Sequence, residues 1–317
     1  MSKIIVTGAA GFIGSNIVSR LNNNGLSNIL LVDDVTNENV ANVSDLRFND
    51  FVSIEEMFTN MDKLVQEGDT ILHHGAISDT MYPDPCELMK KNLTFSKKLF
   101  DKSIDVSARL IYASSAAVYG LGNNGFKEEK RELCEKPLNV YAFSKLCFDR
   151  YVREASKKRF QSQVVGLRYF NVYGNRELHK GSMASPFCQF TKQAHENGVI
   201  KVFEGSKLFL RDFVSVDDVV NANLYFMKNE NHSGIFNVGT GIARSFLDVA
   251  KIVSNETKKE IKEIEFPKEL KGRYQNYTCA DLKKLKACGF NKSFKSIEES
   301  GTMYVRKLFE SLSQQPK

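Results

Sequence analysis

The sequence predicts an α/β fold in which a doubly wound parallel sheet carries helices on both faces. Three observations support this prediction: short apolar runs of strand length, helical periods between those runs, and a glycine-rich turn after the first run. Alternation of strand and helix favours a parallel sheet, because each helix returns the chain to the same edge. A chain of 317 residues, 42% of them hydrophobic, has the size of one large domain or two modest ones.

Five apolar runs of strand length divide the first half of the chain. The predicted strands are Ile4–Thr7, Ile29–Val32, Thr70–His73, 110–113 and 163–167. One helical period covers 11–21 and stops at Gly25. Another covers 86–102, where Asn92 interrupts an apolar stripe. Strand and helix therefore alternate through this half, as a doubly wound sheet requires.

A glycine-rich turn with the pattern G-x-x-G-x-x-G, from Gly8 to Gly14, joins the first strand to the first helix. At such a turn a pyrophosphate can lie on backbone N–H groups at the positive end of the helix. The same pattern also suits a tight turn that packs closely on a helix, so the motif alone leaves both interpretations open.

Tyr141 and Lys145 are separated by four positions in a helical period, so they share one helix face. The ammonium can favour the phenolate there, and such a tyrosine can exchange a proton with an alcohol. The run at 110–113 ends in hydroxyls, and Ser115 lies where sites of parallel sheets form. A packed tyrosine beside a solvated lysine has the same spacing. Together with the glycine turn, however, these residues predict a nicotinamide-dependent redox enzyme.

The chain divides near residue 172, where the alternation loosens into loops rich in Gly, Ser, Lys and Arg. Strand character returns briefly at 235–238. We expect a Rossmann-type dinucleotide-binding domain over 1–172, with a return segment at about 212–240. A smaller, partly interleaved α/β substrate domain is expected to take up 173–211 and 241–317.

Composition and charge exclude several functional classes. The six cysteines have no C-x-x-C spacing and the chain enters a strand directly, so we expect a reducing, cytoplasmic setting. No apolar run reaches the roughly 20 residues of a membrane span. The net charge of +6 comes from lysines mixed with glutamates, which argues against a nucleic-acid platform. Adjacent His73 and His74 would point to opposite sides of a strand, so no metal site is expected.

Motifs in both halves resemble a known family. The segments K-P-L-N-V-Y at 136–141 and L-R-Y-F-N-V-Y-G at 167–174 are similar to those of the extended short-chain dehydrogenase/reductase family of nucleotide-sugar enzymes. The resemblance narrows to the ADP-L-glycero-D-manno-heptose 6-epimerases on H-K-G-S-M-A-S at 179–185, F-E-G-S at 203–206, R-D-F-V at 211–214 and K-G-R-Y-Q at 271–275. It extends essentially end to end. It implies conversion of ADP-D-glycero-β-D-manno-heptose into its L-glycero epimer, for the inner core of lipopolysaccharide.

The resemblance also implies a mechanism. Carbon 6 carries an ordinary alcohol with no neighbouring carbonyl, so its hydrogen leaves as hydride to a bound nicotinamide, and the same hydride returns to the other face. Tyr141 is the implied acid/base on one face and Lys180 on the other. Lys145 holds the cofactor ribose and lowers the tyrosine pKa, and Ser115 orients the oxygen. From its loop alone, Lys180 would be interpreted as a flexible surface lysine. The surrounding H-K-G-S-M-A-S segment favours the catalytic interpretation instead.

Further contacts are carried over by resemblance. The substrate-binding set is Ser115, Asn171, Ser182, Gln189, Phe203, Glu204, Gly205, Ser206, Arg211 and Tyr274. The cofactor-binding set is Gly8, Gly11, Phe12, Ile13, Gly14, Asp33, Asp34, His74, Gly75, Ala76, Ile77, Ser78, Asn92, Tyr141, Lys145, Val172 and Lys180. Arg211 suits a diphosphate, because a guanidinium pairs with two oxygens at once. Gln189 stands where the family usually has a histidine, and it can hydrogen-bond but cannot become charged.

The choice between NAD and NADP stays open. The second predicted strand is followed by Asp33 and Asp34, and a carboxylate there accepts from a free ribose 2′-hydroxyl and repels a 2′-phosphate. The lysine that family members place shortly afterwards is replaced by the stretch N-E-N at 37–39. The residues favour NAD, whereas the resemblance favours NADP. It also implies one tightly bound cofactor per subunit and a homo-oligomer, commonly a pentamer.

Other functions fit the sequence less well. A UDP-hexose 4-epimerase shares the Tyr/Lys pair but does not require H-K-G-S-M-A-S or K-G-R-Y-Q. A sugar-nucleotide dehydratase is disfavoured, because Ala116 and Ala117 stand where those enzymes have an Asp-Glu pair. A catalytically silent cofactor-sensing regulator conflicts with the intact Tyr141, Lys145 and Ser115. A simple alcohol dehydrogenase would show net turnover of the nicotinamide.

Overall fold

The protein is described by a computed structural model that covers residues 2–129, 131–158, 160–266 and 275–314. Contacts between residues divide the chain into two units. The first unit comprises Met1–Gly120, Glu135–Tyr169 and Val220–Asn237, and the second comprises Leu121–Cys134, Phe170–Val219 and Val238–Lys317. The domain limits given above stay a prediction.

The strands of the described residues form three sheets. They are β1 (Ile4–Thr7), β2 (Ile29–Val32), β3 (Asp50–Val52), β4 (Thr70–His73), β5 (Arg109–Ser115), β6 (Val164–Tyr169), β7 (Asn171–Tyr173), β8 (Val199–Phe203), β9 (Leu210–Ser215), β10 (Gly234–Val238), β11 (Ala243–Ser245) and β12 (Glu260–Ile264). The main sheet has the order β10-β6-β5-β4-β1-β2-β3, and the smaller sheets are β11-β9-β7 and β12-β8.

The α-helices of the described residues lie between these strands and at the end of the chain. They are α1 (Phe12–Asn23), α2 (Ile54–Thr59), α3 (Met61–Leu64), α4 (Pro85–Met89), α5 (Phe95–Asp105), α6 (Arg131–Cys134), α7 (Val140–Ala155), α8 (Pro186–Asn197), α9 (Val216–Lys228), α10 (Phe246–Thr257), α11 (Lys283–Ala287) and α12 (Thr302–Gln314). A π turn at Lys90–Thr94 joins α4 to α5, and a 3₁₀ segment at Leu178–Met183 precedes α8.

The main sheet is built from parallel neighbours. β3, β2, β1, β4, β5 and β6 pair in parallel, and Ile5 lies opposite Leu30 on one side and Ile71 on the other. Every residue of β2, β4 and β6 is buried. Continuous burial is expected of strands that helices cover on both faces. The predicted doubly wound α/β fold is confirmed.

The helix predicted over 86–102 is present but is not continuous. It consists of α4, the π turn and α5, and it continues to Asp105. The side chain of Asn92, which interrupts the apolar stripe, is buried in the π turn. Its Oδ1 accepts from the Ile77 amide at 2.8 Å and its Nδ2 donates to the Ile77 carbonyl at 2.9 Å. The polar interruption therefore holds the loop that follows β4.

The second unit has its own apolar core. Phe187 of α8, Ile200 of β8, Val249 of α10 and Val305 of α12 are fully buried in it. Helix α10 begins at a capping box, in which Ser245 and Asp248 each bind the other's backbone N–H. In the smaller sheets, β9 pairs antiparallel with β11 and parallel with β7, while β12 and β8 are parallel.

Three further properties bear on function. All six cysteines are free thiols. Among the residues that the structure describes, no helix is long and apolar enough to cross a bilayer. The same residues contain no group of three His, Cys, Asp or Glu side chains that could hold a metal ion.

Candidate active site

The glycine turn is shaped by close backbone packing. Gly8 has a φ of +68°, and a Cβ on it would lie 2.6 Å from the Gly75 amide nitrogen. A Cβ on Gly14 would lie 2.1 Å from the Gly8 carbonyl oxygen. Helix α1 therefore starts directly against β1. Its N-cap, Gly11, offers no side chain to the first amides, and its first turn has no acidic residue. The residues present fit a dinucleotide pyrophosphate, which would occupy this positive helix end.

Asp33 has a role in the turn that the sequence did not reveal. Its Oδ2 accepts from the Ala10 amide at 2.8 Å and its Oδ1 accepts from the Asp34 amide at 2.8 Å. Burial raises the pKa of Asp33, while these two amides act in the opposite direction. Asp34 is exposed, and its Oδ1 accepts from the Ile54 amide at 3.2 Å. Asp33 thus ties the end of β2 to the glycine turn, and Asp34 is the more accessible carboxylate.

The two adjacent histidines lie in different surroundings. His73 is buried, with Nδ1 2.6 Å from the Thr7 hydroxyl and Nε2 2.8 Å from the Ser96 hydroxyl. His74 stacks on Tyr169 with 6.0 Å between ring centroids. Burial lowers the pKa of His74 to about 3 and the pKa of His73 well below its ordinary value. Both imidazoles are therefore neutral at physiological pH.

The remaining predicted cofactor residues of the first unit lie at the start of α1 and in the loop after β4. Phe12 and Ile13 open α1, and Gly75, Ala76, Ile77 and Ser78 form the loop after β4. The Gly75 amide donates to the Thr7 hydroxyl at 3.1 Å. Thr7 thus orients both His73 and this loop, a link between positions far apart in the chain that no local pattern signals.

Tyr141, Lys145 and Ser115 meet at the carboxyl end of β5. Asn139 caps α7 by accepting from the Ala142 amide at 2.8 Å, which places Tyr141 in the first helical turn. Lys145 is buried one turn later, and its Nζ donates to the Ala113 carbonyl at 2.9 Å. The three predicted residues are brought together as expected from their positions.

Burial sets the protonation of this group. It raises the pKa of Tyr141, and a hydrogen bond with Ser115 is the influence that lowers it. Burial lowers the pKa of Lys145 to about 8, while the carboxylate of Asp149 acts in the opposite direction. Lys145 was expected to lower the tyrosine pKa. In this geometry the Lys145 ammonium donates to the Ala113 carbonyl, and the hydrogen bond with Ser115 is what lowers the pKa of Tyr141.

A buried ion cluster, which the sequence analysis missed, lies one turn beyond Lys145. Asp149 accepts from Tyr112 and Ser114 at 3.0 Å each and from Arg168 Nε at 2.9 Å. The Nη2 of the same guanidinium donates to Asp149 at 2.7 Å and to Glu135 at 2.5 Å. Asp149 and Arg168 are both 0% exposed. A signal was available, because an aspartate four positions after Lys145 shares its helix face.

Lys180 lies in the second unit, on irregular backbone. It belongs to the 3₁₀ segment Leu178–Met183, in which Gly181 leaves the helical region with a φ of +54°. The Lys180 amide donates to the Glu177 carbonyl at 3.0 Å. Burial lowers the pKa of Lys180, and the negative charge of Glu177 raises it. Lys180 is partly buried rather than fully exposed, which disfavours its interpretation as a flexible surface lysine.

Glu177 is a second residue that the sequence analysis missed. It is 0% exposed, and its Oε1 accepts from the Gly174 amide at 3.0 Å and from the Ser185 hydroxyl at 2.7 Å. Its Oε2 accepts from the Ser185 amide at 2.6 Å. Gln189 also reaches this loop, because its Nε2 donates to the Gly181 carbonyl at 2.7 Å. Ser182 lies in the 3₁₀ segment itself.

Most of the other predicted substrate residues of the second unit lie in its strands or directly after them. Arg211 is buried in β9 and donates to the carbonyls of Leu210 and Gln275, with its guanidinium 5.6 Å from the Phe246 ring centroid. Asn171 and Val172 lie in β7, Phe203 ends β8, and Glu204 and Gly205 follow it.

Ser206 and Tyr274 complete the predicted substrate set. The hydroxyl of Ser206 is buried and has no hydrogen-bond partner among the described residues. An orphaned buried hydroxyl is costly unless a ligand or water satisfies it, so Ser206 suits a substrate oxygen. Tyr274, with Arg273 of the K-G-R-Y-Q motif, lies outside the described residues.

The chain is similar to proteins of one enzyme family. The model of the NAD dependent epimerase/dehydratase family matches residues 4–239. An ADP-L-glycero-D-manno-heptose-6-epimerase of Brachyspira hyodysenteriae is 48% identical over 316 residues, which cover 97% of this chain and 98% of that protein.

Solved structures of the same class are also similar. A crystal structure of Helicobacter pylori ADP-L-glycero-D-manno-heptose-6-epimerase has a TM-score of 0.84 at 30% identity and covers 97% of this chain and 96% of the other. A UDP-glucose 4-epimerase of Thermotoga maritima, solved with UDP-glucose, has a TM-score of 0.83 at 28% identity, covering 98% and 99% of the two chains.

Proposed function

This chain belongs to the NAD-dependent epimerase/dehydratase family, and on that premise we propose that it converts ADP-D-glycero-β-D-manno-heptose into the L-glycero epimer at carbon 6. It is an isomerase of nucleotide sugars that works with a nicotinamide cofactor. The observation that carries the choice of substrate is the end-to-end similarity to the Brachyspira enzyme. The heptose would supply the lipopolysaccharide core, in the cytoplasm.

The cofactor and the chain divide the chemistry. A nicotinamide bound at this site would supply reversible hydride transfer at carbon 6 of the sugar. The glycine turn and the start of α1, which has no side-chain cap, would hold the pyrophosphate on backbone N–H groups. Lys145 shares a helix face with Tyr141 and would hold the ribose.

Tyr141 is proposed to move the proton on one face of the carbonyl carbon. The phenol is protonated near neutral pH, because burial raises its pKa, so it can donate to the ketone oxygen as hydride returns. Ser115, hydrogen-bonded to Tyr141, would orient the same oxygen. In the reverse step the tyrosinate would take the alcohol proton, supported by its hydrogen bond with Ser115.

Lys180 is proposed to perform the same task on the other face. Burial lowers its pKa from the ordinary lysine value, which brings the exchange of its proton closer to neutral pH. Arg211 would bind the diphosphate and Ser206 a substrate oxygen. Asn171, Ser182, Gln189, Phe203, Glu204, Gly205 and Tyr274 are the further proposed substrate contacts.

The cofactor is proposed to be NAD, retained through turnover. Asp34 is the exposed carboxylate after β2, and it would accept from a ribose 2′-hydroxyl and repel a 2′-phosphate. Asp34→Asn should therefore relax discrimination against NADP. The ratio of the two dissociation constants, measured by fluorescence on cofactor-stripped protein, checks this, and an unchanged ratio means that Asp34 is remote from the ribose. A homo-oligomer, by resemblance a pentamer, is proposed as the assembly.

The decisive experiment uses purified protein without added cofactor. Incubated with ADP-D-glycero-β-D-manno-heptose, it should form the L-glycero epimer, followed at carbon 6 by proton NMR. Absorbance near 340 nm should show no net accumulation of reduced nicotinamide, which separates an epimerase from a dehydrogenase. No conversion even with added NAD or NADP would overturn the proposal. UDP-glucose, tested in parallel because of the similarity to the Thermotoga epimerase, should not react.

A further inference from the structure

The loop that carries Lys180 is closed at its base by one buried carboxylate. Gly174, at the start of the loop, and Ser185, at its end, both donate to Glu177. Three hydrogen bonds of 2.6 to 3.0 Å thus join two positions that are eleven residues apart in the chain to a single side chain. Within this closed loop, the Lys180 amide donates a 3₁₀-type hydrogen bond of 3.0 Å to the Glu177 carbonyl.

Glu177 presents its carboxyl group to several hydrogen-bond donors in a protein interior. Its side chain is 0% exposed, and burial raises its pKa. The amides of Gly174 and Ser185 and the Ser185 hydroxyl lower that pKa by donating to the charged form. Tyr304 of α12 adds its hydroxyl to the same carboxylate. A buried carboxylate with this many donors is a preorganised structural element, since removing it leaves all of them unpaired.

The groups that face Lys180 come from three elements. Glu177 and His179 lie on its own segment, Cys188 lies on α8, and Tyr304 of α12 binds both Glu177 and Cys188. Glu177 is the largest favourable influence on the charged form of Lys180, while burial acts against it. Lys192 is a further charged neighbour, and its positive charge lowers the pKa of Cys188.

We propose that Glu177 is a positioning residue for Lys180, holding its loop in the shape that the second proton-transfer step requires. The inference rests on the proposed function for the identity of that step, but the contacts of Glu177 do not depend on the substrate. Loss of the carboxylate releases both ends of the loop and also removes a negative charge near the ammonium. Tyr141, in the first unit, should keep its own surroundings.

The test compares Glu177→Gln with Glu177→Asp and a matched control. Glu196→Gln makes the same change in charge at an exposed position of α8. For each variant, single-turnover reduction of the resident nicotinamide is followed near 340 nm, starting separately from the D-glycero and the L-glycero epimer. Glu177→Gln should slow the oxidation of one epimer about 100-fold, as expected for a misplaced catalytic group. It should leave the other epimer within about twofold of wild type, with Glu177→Asp partly restored.

A second measurement needs no substrate. The pH dependence of labelling of Lys180 by an amine-reactive reagent is read by peptide mass spectrometry on the folded, cofactor-bound protein. Glu177→Gln should lower the midpoint if the loop stays closed, or raise it towards an ordinary lysine if the loop opens, whereas Glu196→Gln should not shift it. An unchanged midpoint in Glu177→Gln, or equal slowing of both epimers, overturns the proposal. If wild-type protein leaves ADP-heptose unchanged, the proposed function fails while the labelling result still decides the role of Glu177.

Discussion

Tyr141 and Lys180, the two proposed proton carriers, are held by different kinds of structure. Tyr141 lies in the first turn of α7, a capped helix of 16 residues. Lys180 lies in a 3₁₀ segment that a glycine with positive φ interrupts. Regular hydrogen bonds place the tyrosine, whereas a buried side chain, Glu177, closes the loop of the lysine. A catalytic group on irregular backbone thus depends on one tertiary contact where a group on a helix depends on many local ones.

The buried acids behind the two residues also differ. Asp149 forms an ion pair with Arg168, which also pairs with Glu135, so its negative charge is balanced by a positive one. Glu177 accepts from backbone amides and hydroxyls instead. The first arrangement stabilises a unit, and replacing one partner leaves a bare charge inside it. The second fixes the path of a loop.

The largest expected effect comes from removing the proton carriers themselves. Tyr141→Phe and Lys180→Met should each lower the rate of epimerisation about 10²- to 10⁴-fold, the usual contribution of a positioned acid or base. Both variants should retain the cofactor, since neither changes the glycine turn. Proton NMR of product formation and absorbance of the purified protein measure the two properties. Normal turnover in either variant would remove that residue from the mechanism.

The ion cluster behind α7 should matter mainly for stability. Arg168→Met leaves the buried Asp149 without its cation, while Glu135 keeps its pair with Arg153, and we expect a loss of about 3–5 kcal/mol in the free energy of unfolding. Arg150→Met, at an exposed position of the same helix, is the matched control. Urea unfolding followed by circular dichroism gives both values. Equal stability of the two variants would mean that the cluster contributes no net energy.

Acid should weaken the first unit through His74. The unfolded chain binds a proton to this residue near its ordinary pKa of 6.5, while the folded protein does so only near 3. Stability therefore falls as pH drops from 6.5 towards 3. Between pH 7 and 5, wild type should lose about 1–2 kcal/mol more than His74→Phe, which keeps the stack on Tyr169. Urea unfolding of the two proteins at the two pH values tests this.

The smallest expected effect concerns the support of the Lys180 loop by Gln189. Gln189→Ala removes one hydrogen bond to the Gly181 carbonyl, worth about 1 kcal/mol. If Gln189 supports the loop rather than contacting substrate, kcat should fall about fivefold with KM little changed. Gln189→His retains a donor and should recover most of the loss. A change confined to KM would instead assign Gln189 to substrate binding.

Local patterns predicted the parts of the site that regular structure holds. The glycine turn, Ser115 at the end of β5 and the Tyr141–Lys145 pair all lie where the sequence placed them, because strand and helix periods determine direction. The break at the π turn and the bonds of Asn92 to Ile77 were not predicted. Nor were Glu177 and the Asp149–Arg168 pair, whose partners are set by contacts between separate elements.

The sequence by itself determined the alternation of strands and helices in the first half of the chain, the glycine turn and, by resemblance, the class of reaction. Those features follow from residues that are neighbours in the chain, through periodicity, capping and the conformational freedom of glycine. Only the tertiary structure decided which acids are buried, that Asp33 binds the Ala10 amide, and that Glu177 closes the loop of Lys180. Burial and hydrogen bonding between distant segments arise from packing, and packing has no period that a single sequence displays.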